Sequence, residues 1–253
     1  MDKLKVVVLT GNENRHRYYA KVMCDSFDVV GLITEPNDDY FVTQSSDSEL
    51  MIRHLDRLKM YENMYLGVPL DEFKHITSNL HYKNIHSNQI NSCENIDWVK
   101  SLNPDYILLY GTGILDSKWC HGFEDRIINL HLGMSPFYRG SATLFWPFYN
   151  DDLDHLGSTI HLATSDVDAG PILSTITAER AYVDENYYDI TYKLIRESIF
   201  SIDRVVRDHD SGNLASIPQD ISKQRYLYKK KDFTEECLSR VLEKYYGCQT
   251  TSM

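Results

Sequence analysis

The sequence predicts an α/β protein with a doubly wound, Rossmann-like, mostly parallel sheet. Three observations carry this. Short apolar or β-branched runs near 5–9, 29–34, 105–110 and 126–131 alternate with longer helical stretches, the rhythm of strands joined by crossover helices. The first run, Lys5-Val6-Val7-Val8-Leu9, ends in Thr10-Gly11-Asn12-Glu13-Asn14 and passes into a helix, a strand–glycine turn–helix opening. Asp105-Tyr106-Ile107-Leu108-Leu109-Tyr110 is a continuous apolar run, as expected of a parallel strand covered on both faces.

Taken in order, a helix begins near Arg15, and Val29 to Thr34 is a strand closed by Glu35-Pro36. After a polar loop, Ser48 to Tyr65 reads as a charged surface helix. His75 to Ser78 is too weak to assign, and Ile96 to Leu102 reads as helix. Arg126 to His131 is a strand that runs into a Gly/Ser/Pro loop ending at Gly140. Ala142 to Asn150, apolar and aromatic, reads as helix. Gly157 to Ala163 is a strand, Asp168-Ala169-Gly170-Pro171 a turn, and Ile172 to Ala181 extended. Tyr187 to His209 has helical periodicity that Asp210-Ser211-Gly212-Asn213 stops. A final helix follows from about Thr234, and Cys248 to Met253 reads as a disordered tail. The expected organisation is a core over 1–181, a short C-terminal helical extension over 182–247 and a tail over 248–253.

Composition narrows the function. Hydrophobic residues make up 42% and charged residues 25% of the 253, ordinary for a globular chain. No apolar stretch approaches a bilayer span, and the first residues lead straight into a strand, unlike a signal peptide. The five cysteines are scattered and lack metal-ligand spacing, which predicts reduced thiols in a cytoplasmic protein and no metal site. A net charge of −11 argues against a nucleic-acid partner, and Lys229-Lys230-Lys231 reads as a solvated helix start.

Two segments carry chemistry. Asn129 and His131 flank Leu130 on one strand, so their side chains share a face at the strand's C-terminal end, where open α/β sheets collect ligands. The alternative is that both merely close the strand end. Asp168 lies in a turn composition that is common without any function.

Asn129-Leu130-His131, continued by Pro136-Phe137-Tyr138-Arg139-Gly140, resembles the Asn-X-His and Pro-X-Tyr-Arg-Gly segment of the folate-dependent formyltransferases. Gly157-Ser158-Thr159-Ile160-His161 and Asp168-Ala169-Gly170-Pro171-Ile172 resemble that family's second block, and Pro104-Asp105 with Gly111 resembles its folate-bordering strand and loop. The resemblance is strong over about 100–180 and present in outline over 1–35; 36–99 matches nothing. It implies the formyltransferase fold, N10-formyltetrahydrofolate as formyl donor, and Asn129, His131 and Asp168 as the catalytic residues. Asn129 and a protonated His131 would donate to an oxyanion, and Asp168 would favour the imidazolium and help remove the amine proton. By the same resemblance the folate lies against Leu109, Gly111, Thr112, Gly113, Ile114 and Leu115 on one loop and Thr164, Asp166 and Val167 on another.

The acceptor side is expected at Asn12, Asn14 and Arg15, where a strand end and a helix N-terminus favour an anion, and at Tyr138, Arg139 and Phe145. Trp146 is expected in the core, and His161 is either structural or pocket-lining. The remaining histidines (His16, His54, His75, His81, His86, His121, His155, His209) are expected at the surface. Within the family, length and the Ser135-to-Ser141 run followed by Phe145-Trp146-Pro147 look most like the nucleotide-sugar N-formyltransferases. That implies a small-molecule nucleotide-sugar acceptor feeding surface polysaccharide synthesis, and a possible homodimer. Methionyl-tRNA and purine-precursor enzymes, a formyl-folate hydrolase and a non-catalytic folate- or nucleotide-binding module are the alternatives. The tRNA enzyme's C-terminal barrel and the hydrolase's N-terminal domain are not expected in this chain.

Overall fold

Val6, Val7, Val8 and Leu9 are all fully buried, so β1 (Lys5–Thr10) is covered on both faces. It leads the computed structural model, which describes residues 3–36, 48–178 and 185–246. There follow α1 (Asn14–Ser26), β2 (Asp28–Thr34), α2 (Glu49–Leu66), α3 (Leu70–Ser78), β3 (Tyr82–Asn84), α4 (Cys93–Ser101), β4 (Tyr106–Tyr110), α5 (Ser117–Gly122) and β5 (Ile127–His131). The second half comprises β6 (Tyr138–Gly140), α6 (Trp146–Tyr149), β7 (Gly157–Leu162), β8 (Ile172–Thr177), α7 (Tyr187–Asp210), β9 (Tyr226–Tyr228) and α8 (Glu235–Tyr245).

Seven strands form one sheet in the order β3-β2-β1-β4-β5-β7-β8. The first five run parallel; β7 and β8 are antiparallel to their neighbours. Strand alternation sorts the core into two layers. Val6, Val8, Leu108, Tyr110, Ile128 and Leu130 pack with Tyr19 and Met23 of α1, Leu66 of α2 and Leu194 and Ile199 of α7. Val7, Leu9, Ile107, Leu109 and Ile127 face the other way, onto Ile96 and Val99 of α4 and Trp119 of α5. This is the doubly wound architecture expected. The order turns outward in opposite directions from β1 and β4, so their C-terminal ends open on a switch-point crevice.

Helix starts follow side-chain caps. Ser48, Ser92 and Asn186 accept backbone N–H bonds at the beginnings of α2, α4 and α7. Ser158 and Ser198 meet hydroxyl to hydroxyl at 2.5 Å and fix α7 on β7.

Several expectations are corrected. His75–Ser78 is the end of α3 and is followed by a short edge strand. The exposed, polar surroundings of both leave no burial pattern to read. Of Ala142–Asn150 only one turn is α-helix. The C-terminal extension is not purely helical, because β9 pairs in parallel with β6 (Tyr138 opposite Tyr226) in a separate two-stranded sheet. It is also not separate from the core: buried side chains of α7 and α8 belong to the same layer as β1 and β4. The expected extended residues 179–181 and the tail 248–253 lie outside the described residues. Among the described residues, no helix is long and apolar enough to cross a membrane.

Candidate active site

β5 and β7 are antiparallel, with Asn129 directly opposite His161 and His131 opposite Thr159. Side chains of such a pair are neighbours. Asn129 Nδ2 lies 3.0 Å from His161 Nε2, while His161 Nδ1 lies 2.8 Å from the Leu162 carbonyl. A carbonyl can only accept, so Nδ1 carries the proton, and the unprotonated Nε2 accepts from the Asn129 amide. One amide hydrogen of Asn129 is committed to this bond, which orients the group, and one is left over.

Asp168 reaches the strand ends from the β7–β8 connection. Its Oδ2 lies 3.4 Å from His131 Nδ1 and its Oδ1 3.8 Å from His161 Nε2. The structure thus brings Asn129, His131 and Asp168 together. Its backbone is left-handed (φ 51°), an uncommon state for a residue with a side chain, though aspartate tolerates it better than most. His131 Nε2 lies 3.3 Å from the Tyr138 carbonyl, so both ring nitrogens face acceptors. Gly133 makes room for the ring: a Cβ there would stand 2.5 Å from His131 Nε2. Thr159 holds the adjoining turn by accepting from Ser135 N–H and donating to the Gly133 carbonyl.

Burial pulls the His131 ring below the ordinary histidine value; Asp168 pushes it back up, while His161 and Arg139 add to the pull. The resting ring is neutral near pH 7, one proton short of satisfying both its acceptors. Burial acts to raise Asp168, but the His131 and His161 rings and Arg139 outweigh it and leave the carboxylate below its ordinary value, hence ionised.

These groups line a cavity of about 900 Å³. One end is lined by Leu109, Gly111, Thr112, Gly113, Ile114 and Leu115, and by Thr164, Asp166 and Val167, the two loops assigned to the folate. Ile114 is 67% exposed and Val167 45%, so each loop presents an uncovered aliphatic wall. The other end lies between Leu55, Leu58, Lys59 and Glu62 of α2 and Tyr187, Thr191, Tyr192 and Ile195 of α7, with Lys230 also in the lining.

The residues expected on the acceptor side fare unevenly. Arg15 and Phe145 line the cavity, while Asn12, Asn14, Tyr138 and Arg139 do not. Arg15 is already engaged: Glu62 accepts from its backbone N–H at 2.7 Å and from Nη1 at 3.0 Å, and Glu13 pairs with Nη2. Burial alone would lower its guanidinium, but Glu62, Tyr110 and Glu13 raise it above its ordinary value. Asn14 accepts from Arg17, and the Asn12 carbonyl does so too, at 2.9 Å. Tyr138 is fully buried because β6 is clasped by β9, and its hydroxyl donates to Asp152 at 2.9 Å. Arg139 is spent on the Gln224 side chain and the Val167 carbonyl. Phe145 is almost fully buried, packed against Phe233 with ring centres 4.7 Å apart. Trp146 lies in the core, stacked on Tyr228 at 3.8 Å.

Other residues at the site escaped the sequence reading. Glu35, 2% exposed, accepts from the N–H groups of Gln89, Ile90 and Gly113, and so pins the Gly111–Leu115 loop. Asn91 accepts from Asp116 N–H and donates to the Ile114 carbonyl on that loop. A charged residue closing an apolar strand was the one available signal for Glu35. His16 is buried, not at the surface: it lines the cavity, its Nδ1 accepts from Glu13 N–H at 3.2 Å, and its ring fills the space beside Gly11 and Gly111. His54 is also fully buried, with Nδ1 2.8 Å from the Tyr188 hydroxyl. No group of three or more His, Cys, Asp or Glu among the described residues is placed to hold a metal ion.

The family model for formyl transferases matches residues 4–191. Among solved structures, a sugar N-formyltransferase from Shewanella sp. FDAARGOS_354 is similar with a TM-score of 0.59 at 13% identity, covering 94% of this chain and 88% of that one. The formyltransferase PseJ from Anoxybacillus kamchatkensis was solved with UDP-4,6-dideoxy-4-formamido-L-AltNAc and tetrahydrofolate. It is similar with a TM-score of 0.51 at 18% identity, covering 98% and 93%. A phosphoribosylglycinamide formyltransferase from Anaplasma phagocytophilum gives 0.55 at 15%, covering 83% and 89%. At these identities the likeness is one of fold.

Proposed function

Since the chain belongs to the formyltransferase family, we propose that it moves the formyl group of N10-formyltetrahydrofolate onto the amine of a nucleotide-linked amino sugar. The observation that carries this reading is that Asn129, His131 and Asp168 meet in one cavity that is also lined by two loops and by the facing sides of α2 and α7. The loop end suits the donor, with backbone groups and two bare aliphatic walls, Ile114 and Val167, for a flat heterocycle. The helical end suits the acceptor. Leu55, Leu58, Tyr187 and Tyr192 offer apolar and aromatic wall for a deoxysugar or base, and Lys59 and Lys230 line the same cavity. With Arg15 held by Glu62 and Glu13, Lys59 is better placed than Arg15 to meet a diphosphate.

The chemistry follows from the groups present. An unprotonated amine attacks the formyl carbon, and the second amide hydrogen of Asn129 donates to the oxygen as it becomes negative. The neutral His131 takes the proton released by the amine. The resulting imidazolium, stabilised by Asp168, adds a positive charge beside the oxyanion. Collapse breaks the bond from carbon to N10, the proton passes to N10, and a formamide and tetrahydrofolate remain. Binding energy from the two ends places amine and carbonyl in contact.

The test is loss of formyl-folate with and without candidate nucleotide-linked amino sugars. Acceptor-dependent loss is expected. Acceptor-independent loss would instead indicate the hydrolase, and tight folate binding without any loss a binding module. A cytoplasmic location, a role in surface polysaccharide synthesis and a two-fold dimer complete the proposal. Light scattering of the purified chain checks the last of these.

A further inference from the structure

The loop that carries Asp168 holds itself only loosely. Its internal bonds are Ala169 N–H to the Asp166 carbonyl at 3.3 Å and the Thr164 hydroxyl to that same carbonyl at 3.2 Å. Its C-terminal end lies hard against β7, where Leu162 N–H donates to the Pro171 carbonyl at 3.0 Å and a Cβ on Gly170 would stand 1.8 Å from the Leu162 carbonyl, but these contacts do not reach Asp166 to Asp168. Yet Asp168 keeps a left-handed backbone and a carboxylate aimed between two histidines.

The holding contacts come from the far end of the chain. Gln219 Nε2 bridges two carbonyls of the loop, Asp168 at 2.9 Å and Gly170 at 2.7 Å. The side chain's own Oε1 is buried with no hydrogen-bond partner. That fixes the orientation of the amide, because its N–H face is turned to two acceptors at the expense of its oxygen. A second contact runs through Arg139, which donates one Nη to the Val167 carbonyl and the other to Gln224 Oε1 at 2.9 Å. The segment is itself anchored beside β8 by reciprocal backbone bonds between Ile172 and Ile217, at 2.7 and 2.8 Å.

We infer that residues 217–224 act as a strap that sets the Asp168 carboxylate against His131, with Gln219 as the positioning residue and Gln224 acting through Arg139. The 3.4 Å from Asp168 to His131 Nδ1 is already long for a charge-assisted bond, so a small drift of the loop uncouples the pair. The inference rests on the role given to Asp168 under the proposed function, but its geometry can be read without turnover.

The groups that bear on the His131 ring are Asp168 from this loop, His161 from β7, and Arg139 and the Tyr138 carbonyl from β6. When the Asp168 carboxylate drifts away, burial acts on the ring with less opposition. Gln219→Leu in the full chain should therefore lower the His131 titration point, read by NMR of the ring protons without ligand, and Gln224→Leu should do so to a smaller degree. In kinetics, Gln219→Leu should lower kcat about tenfold and move the acid limb of kcat/KM to lower pH. Added to Asp168→Asn, it should cost nothing further.

An unmoved His131 titration in both variants, or full additivity with Asp168→Asn, would overturn the strap. Failure of every acceptor to accelerate formyl loss would remove the proposed function, while the NMR titration would still decide the strap. If Gln219→Leu does not fold, Gln224→Leu carries the same titration test.

Discussion

The proposed donor end of the cavity is built of loops, 111–115 and 163–168, whereas the proposed acceptor end is built of the facing sides of α2 and α7. Loops carry no geometry of their own, and the donor end is held by side chains that bond backbone: the buried Glu35 and the half-buried Asn91 on one loop, the half-buried Gln219 and Arg139 on the other. The acceptor end inherits its shape from helix packing, fixed by contacts such as His54 to Tyr188 and Asn186 to Tyr61. Exchanging residues on a helix face leaves the helix in place. Removing a buried carboxylate that gathers three N–H groups does not leave its loop in place. The acceptor end can therefore change substrate by surface replacement, while the donor end is bound to its framework.

That contrast can be broken or sharpened by variants. The largest expected effect lies between the two ends. His131→Ala should reduce kcat by about two orders of magnitude or more, with both KM values little changed and the melting temperature not lowered. Near-normal turnover would remove the catalytic assignment.

The next effect is on stability and separates the ends by pH. His16 is held well below the ordinary histidine value by burial and by Arg15 and Arg17. His54 is pushed down to about 4 by burial and Arg57, and His131 is also lowered by burial. Each stays neutral in the folded state while its unfolded counterpart takes up a proton. Their contribution is whole above about pH 6.5 and is lost as pH falls from there toward 4, on the order of 3 kcal/mol for His54 alone. Thermal melts should show a falling midpoint across that window. His54→Gln should flatten the fall, and an unchanged slope would contradict the burial reading of the α2–α7 contact.

Glu35→Gln turns an all-acceptor group into one with a donor face toward backbone N–H. It should raise the donor KM about tenfold and leave the acceptor KM alone. Equal changes in both would show that the two ends are not independent. Smallest of all, Lys59→Ala on the exposed edge of α2 should raise only the acceptor KM, about threefold to fivefold, with the shift shrinking as salt is added.

How much was legible in the sequence follows the same division. β1, β4 and β5 could be read because each is a short apolar run with a turn at its end, and Asn129 and His131 because strand periodicity puts them on one face. Asp168 stood out only through family resemblance. Tyr138 and Arg139, close to β5 in sequence, read as pocket residues, yet Tyr138 is buried where β6 pairs with Tyr226–Tyr228 and Arg139 is engaged by Gln224 and the Val167 carbonyl. Nothing local announces that pairing. Glu35 and Gln219 escaped for a related reason: a lone polar side chain gives no sign that it will meet the backbone of a loop distant in sequence. The α2 and α7 faces were read as helices, but not which residues of each meet across a cavity.

The bond between Asn129 and His161 joins two residues that face each other across an antiparallel ladder. Its accuracy is thus lent by the backbone: sliding β7 one residue along β5 would send His161 to the opposite face and bring an aliphatic neighbour, Ile160 or Leu162, alongside the amide. The register shift between Ile160 and His161 in the β7–β8 pairing lies on the outer side of β7 and leaves its match with β5 continuous from Leu162 to Thr159. His161 thus carries an irregular pairing toward β8 and a regular one toward β5, and the Asn129–His161 rung stays in register.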